Sequence, residues 1–165
     1  MRQTILAAAA VTLGALVLGA CNDGSAPEPA ATDARNAEDI ADLRIENARL
    51  ILPAVAGNPG VVYFDIVNTS LQDHAVLRAD VEGAGRSEMH SSMTTANGEM
   101  SMAPAGPQTV AAGQTFAFAP GGYHVMVFDL APELAAGGQT EVTLTVEGGD
   151  KTSFMVPIRS AGDER

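Results

Sequence analysis

Glu141-Val142-Thr143-Leu144-Thr145-Val146-Glu147-Gly148-Gly149-Asp150-Lys151-Thr152-Ser153-Phe154-Met155-Val156-Pro157-Ile158 carries the reading that sets the fold class. Val142, Leu144 and Val146 alternate with Thr143, Thr145 and Glu147, and Phe154, Val156 and Ile158 alternate beyond Gly148-Gly149-Asp150. Successive side chains of a strand point to opposite faces, so each run is a strand with one apolar face and the Gly-Gly-Asp segment is a turn. Outward from there, residues 61 to 67 form an apolar, β-branched run of the same kind. Asn58-Pro59-Gly60, Asn97-Gly98, Gly113, Pro120-Gly121-Gly122 and Gly137-Gly138 recur at spacings suited to short antiparallel strands. Asn-Gly is the strongest short hairpin signal among them. No long helical period appears. The pattern implies an all-β sandwich or barrel, one domain over residues 42–160, long enough for a two-layer core.

The N-terminal region is different in kind. Arg2 precedes an apolar run from Ile5 to Leu18, too short to span a bilayer but suited to the h-region of a secretory signal over residues 1–20. The run ends in Leu18-Gly19-Ala20-Cys21, which resembles a bacterial lipobox, with cleavage before Cys21 and lipid on its sulfur. Cys21 is thus the expected lipidation site, and several acyl chains give stable anchoring where one is marginal. Residues 21–41 are rich in Ala, Pro, Asp, Glu and Asn and nearly free of large apolar side chains, so they read as a flexible tether. About twenty residues of such coil reach roughly 25 Å r.m.s.. Residues 161–165 read as a disordered tail.

Charge and cysteine content remove several classes of function. Without residues 1–20 the chain keeps eight basic and twenty acidic side chains, a formal charge of −12, and its one lysine is Lys151. Nucleic acid is excluded as a partner, because phosphate binding needs clustered Lys and Arg. An acidic surface suits solubility and transient docking to a more basic protein. Cys21 is the only cysteine, so no intramolecular disulfide forms and the core alone holds the fold. A blue-copper electron-transfer centre, which needs a thiolate beside two imidazoles, is disfavoured for the same reason. No nucleophile elbow, carboxylate pair or phosphate loop is visible, and the chain reads as a non-enzyme.

Five of the seven Met residues and two of the three His residues fall between Met89 and Met126. Met89, His90, Met93, Met100 and Met102 lie on one candidate hairpin about Asn97-Gly98, and His124 and Met126 follow Gly121-Gly122. In a strand, residues i and i+2 share a face about 7 Å apart, so His124 projects with Met126 and Met100 with Met102. Taken singly, a Met fills apolar gaps and a strand His is an ordinary hydrogen-bonded residue. Taken together, imidazoles with neutral thioethers and no thiolate favour Cu(I) over Zn, Mg or Ca. Gly121 and Gly122 allow a tight turn before His124; Tyr123 faces away from the ligands. Glu88 and Glu99 read as a solvated edge, and His74 as a solvent-facing turn residue.

Eleven residues separate His90 from Met102, twenty-one separate Met102 from His124, and one separates His124 from Met126. This spacing, with Asn97-Gly98 and Pro120-Gly121-Gly122-Tyr123-His124-Val125-Met126, resembles the periplasmic copper chaperones of the PCu(A)C family from about Leu43 to Ile158. Ser91 stands where that pattern has an optional Met, leaving Met89 or Met93 as substitutes. The resemblance implies a cupredoxin-like Greek-key sandwich that binds Cu(I) through His90, Met102, His124 and Met126. It further implies a periplasmic location, which with the lipobox-like Cys21 gives an anchored position on the periplasmic side of a bacterial membrane. The implied partner is a copper acceptor, such as a cytochrome c oxidase subunit receiving metal for its CuA site, or another copper chaperone. A copper-sequestering or uptake-linked lipoprotein would carry the same site, and a metal-free structural β-domain would carry the Met residues as packing.

Overall fold

Alternation in the sequence becomes alternation in burial. In the computed structural model, which describes residues 42–95 and 97–163, Thr140, Val142, Leu144 and Val146 are buried while their neighbours face outward. Gln139–Val146 pairs antiparallel with Lys151–Arg159, Phe154 lying opposite Val142. On the polar face of this hairpin the hydroxyls of Thr143 and Ser153 are 2.8 Å apart. The signal segment, Cys21 and the tether assigned to residues 1–41 lie outside the described residues.

Ten strands make up the regular structure of the described residues: β1 (Leu43–Ile51), β2 (Gly60–Asn68), β3 (His74–Val81), β4 (Ala84–Thr94), β5 (Met100–Pro104), β6 (Gln108–Val110), β7 (Thr115–Phe118), β8 (Tyr123–Leu130), β9 (Gln139–Val146) and β10 (Lys151–Arg159). They hydrogen-bond in the order β5-β4-β8-β7-β2-β1-β10-β9-β3-β6, and β8 also pairs with β2. The antiparallel ladder is interrupted by parallel contacts at Leu50–Ile158 between β1 and β10 and at Phe118–Tyr123 between β7 and β8. The β1–β10 contact is where one half of the sheet passes into the other.

The two halves face each other across one core. Val62, Phe64, Ile66, Val125 and Val127 come from one half, and Val76, Val142, Leu144, Phe154 and Val156 from the other. Phe64 stacks on Phe118 at 4.6 Å and leans against Phe154 of the opposite layer at 5.4 Å. Each such side chain, once buried, stabilises the fold by about 1.5–3 kcal/mol before entropy is counted. The all-β, cupredoxin-like sandwich expected from the pattern and the resemblance is the architecture observed. Its consequence for function is that β5, β4, β8 and β2 turn their other face outward.

Two local features depart from simple alternation. The β1–β2 register shifts between Glu46 and Arg49, where Asn47 adopts φ +54° and its Nδ2 donates to Asp65 Oδ2 at 2.6 Å. Asn accepts left-handed backbone more readily than other non-glycine residues. Arg49 then pairs with Tyr63 on the outer face, its guanidinium 5.0 Å from the ring centroid. His74 is not a free turn residue: it opens β3, half-buried, with Nε2 3.1 Å from Ser70 Oγ. Buried Asn68 holds that loop, donating to Gln72 O at 2.7 Å and Val110 O at 2.9 Å.

Candidate metal centre

The Asn97-Gly98 turn does what its composition demands. Gly98 sits at φ +82°, its N–H donates to Thr95 O at 2.9 Å, and Thr95 N–H donates to Glu99 O at 2.7 Å. β5 therefore folds back antiparallel on β4, with Ser92 opposite Met102 and Thr94 opposite Met100. On its other side β4 pairs with β8, setting His90 opposite His124 and Glu88 opposite Met126. Directly paired residues project to the same side of a sheet. Glu88, His90, Met100, Met102, His124 and Met126 thus share the outer face.

Parity also decides which methionines do not share it. Met89, 7% exposed, points into the core, and Met93, an even number of residues away, lies on that same side of β4. Ser91 is on it too, paired with Tyr123. Met89 and Met93, the substitutes considered from sequence, thus lie on the side of Ser91 and not on the face that carries His90 and His124. Met100 is on the outer face but one pair farther out, with Thr94 Oγ1 3.7 Å from its sulfur. Tyr123 faces the core as expected, 5.0 Å from Phe116 between ring centroids.

The two imidazoles sit side by side, centroids 6.1 Å apart. His124 is only 4% exposed and His90's side chain 13%, whereas Met102 is 55% exposed. His124 Nδ1 is 3.0 Å from Gly122 O; a carbonyl can only accept, so Nδ1 carries the proton and Nε2 is left with a lone pair. The same Gly122 carbonyl accepts Ser92 N–H at 3.0 Å, tying the turn ahead of β8 to β4. Gly121 supplies the turn's left-handed backbone at φ +79°; Gly122 does not share that conformation, and its part is played by its carbonyl.

His90 is held by a residue that sequence reading assigned to a solvated edge. Glu88 Oε2 lies 3.1 Å from His90 Nε2, while its other oxygen pairs with Arg86, whose guanidinium covers the Phe128 ring at 4.0 Å. The hydrogen bond with His90 holds the Glu88 carboxyl below the ordinary carboxylate value; partial burial opposes this, and Arg86 adds to it. A Glu two residues before a strand His is too common a pattern to have identified this contact. Tyr63 completes the surround, its ring 6.5 Å from His124.

Two buried atoms on this face have no hydrogen-bond partner, Arg49 Nε and one nitrogen of His90. His90 Nδ1 is buried and makes no hydrogen bond. A buried acceptor left this way costs about 1–3 kcal/mol, and native structures rarely carry one without a use. Among the described residues no three His, Cys, Asp or Glu converge as a metal cluster. The soft donors on this face are two imidazoles and the thioethers of Met100, Met102 and Met126, a set that fits a soft monovalent metal ion.

Comparison with known proteins agrees with this architecture. The solved structure described as "Copper-bound PCuAC domain from PmoF2" superposes with a TM-score of 0.62 at 18% identity, covering 76% of this chain and 98% of that one. The solution structure of apo-DR1885 from Deinococcus radiodurans gives 0.58 at 17% identity, over 94% and 99%. At those identities they establish a shared fold, that of PCuAC domains. In sequence, "Putative lipoprotein Lxx21020" of Leifsonia xyli subsp. xyli is 25% identical over 160 residues, 96% of this chain and 93% of that protein. The model of the family described as "Putative lipoprotein LpqE-like" matches residues 43–158, most of the chain, and the protein belongs to that family.

Proposed function

We propose that the outer face of β4, β5 and β8 binds one Cu(I) as cargo and hands it to an acceptor protein. The observation that carries the reading is the state of the two imidazoles. Each has one nitrogen committed to an acceptor, Glu88 or Gly122, and so keeps a lone pair on a sheet face that also carries Met102 and Met126. Neutral thioethers need no deprotonation and suit the soft Cu(I) ion, and the solved relative with this fold that holds copper supports the choice of metal. Exposed Met102 is the ligand that an incoming donor can replace first, and ligands leave one at a time. Such a site binds and releases; it has no group placed to activate water, and we read the protein as a carrier rather than an enzyme.

The family description as lipoproteins and the Leu18-Gly19-Ala20-Cys21 sequence support a carrier anchored through Cys21 on the periplasmic side of a bacterial membrane. The resemblance to PCu(A)C chaperones supports delivery toward the CuA site of a respiratory oxidase, directly or through another copper chaperone. Sequestration or uptake would use the same site and differ only in the absence of transfer.

The test is a Cu(I) titration of the full chain in detergent against a competing chelator, with H124A/M126A and M102L alongside. One tight equivalent in the wild type is expected, lost in H124A/M126A and weakened in M102L with melting temperature preserved, since Leu matches Met in volume. Equal binding by all three proteins would mean that the Met residues serve packing alone. A second step mixes the loaded protein with a CuA-site fragment: movement of copper supports delivery, and retention favours sequestration.

A further inference from the structure

Resting on that reading, we infer that Glu88 makes His90 bind the metal through Nδ1 while His124 binds through Nε2, so that the two imidazoles are unequal ligands. A carboxylate accepts and cannot donate; with Glu88 Oε2 3.1 Å from Nε2, the His90 proton sits on Nε2 and the lone pair on Nδ1. That Nδ1 is the buried, unpartnered nitrogen. At His124 the order is reversed, because Gly122 O takes Nδ1–H. The two rings, directly opposite in register, therefore offer different nitrogens to one ion.

The acceptors differ in charge as well as position. A carboxylate behind a metal-bound imidazole raises its basicity more than a neutral carbonyl does, so His90 is the stronger donor. Arg86 pairs with the other Glu88 oxygen and lies over the Phe128 ring. Glu88 is a positioning residue: it does not touch the metal but selects the nitrogen that does. His90 is then the last ligand to let go during transfer and exposed Met102 the first, which gives ligand exchange a direction along the sheet.

Long-range 1H–15N spectra of the histidine rings in the full chain read the tautomers without metal. We expect His90 as the Nε2–H tautomer and His124 as the Nδ1–H tautomer, with Cu(I) then perturbing His90 Nδ1 and His124 Nε2. E88A should leave His90 a mixture of tautomers and weaken Cu(I) binding about 10–100-fold; E88Q, which keeps an acceptor oxygen, should restore the tautomer. An Nδ1–H tautomer at His90, or a Cu(I) response at its Nε2, overturns this inference while leaving the copper site intact. Absence of any Cu(I) response at either ring overturns the copper reading itself and this inference with it. An E88A protein with unchanged tautomer and affinity removes Glu88 from the site.

Discussion

A Cβ at position 121 would be forced into left-handed backbone at φ +79°, whereas one at position 122 would meet only Ala119 O at an ordinary 3.6 Å. G121A should therefore destabilise the protein by about 1–2 kcal/mol. G122A should be neutral or stabilising by up to about 1 kcal/mol, since it restricts the unfolded chain at no cost in the folded one. Urea unfolding of the two variants checks this, and equal losses would contradict it. Glu88 shows why residue roles are hard to read from sequence: Arg86, Glu88 and His90 are visible as alternating charged or polar residues, but their alignment on one face depends on this stretch being a strand paired with β8. His74 is a parallel case, since its contact with Ser70 depends on how buried Asn68 folds the intervening loop.

At the scale of strands, the register of β4 with β5 is what sets Met100 and Met102 on the face of the two imidazoles. Insertion of one residue between Asn97 and Gly98 would shift β5 by one position, turning Met100 and Met102 to the opposite side. Such a variant should keep its β-sheet circular dichroism and lose Cu(I) affinity about as M102L does; full retention of affinity would mean that Met102 is not a ligand. The hairpin around Gly148-Gly149 and strand β2 were legible because their alternation is local and unbroken. The Met-His spacing was legible as a pattern, and the turn at Asn97-Gly98 made it a hairpin. Strand β1 was not, because its alternation breaks at the Asn47 bulge, which tertiary contacts with Asp65 and Tyr63 sustain. Strands β6 and β7, three and four residues long, carry too few side chains for a period to show. The division of methionines between core and outer face followed only once the parity of β4 against β8 was fixed.

For the molecule as a whole, the core and the site lie on opposite faces of the same strands. F64A, which removes the ring stacked on Phe118 and packed against Phe154, should cost about 3–5 kcal/mol, a large share of a typical domain's stability. Cu(I) affinity measured well below the melting temperature should nonetheless stay near wild type, because Phe64 and His124 share no face. A matching fall in affinity would show that the outer face depends on the packing behind it. Strand β1 has one more consequence. It lies inside the sheet, bonded to β2 along its length and to β10 at Leu50 and Ile51. A pull on the chain ahead of Leu43, directed along the strand, loads those bonds in shear, so that many must break at once rather than unzip singly.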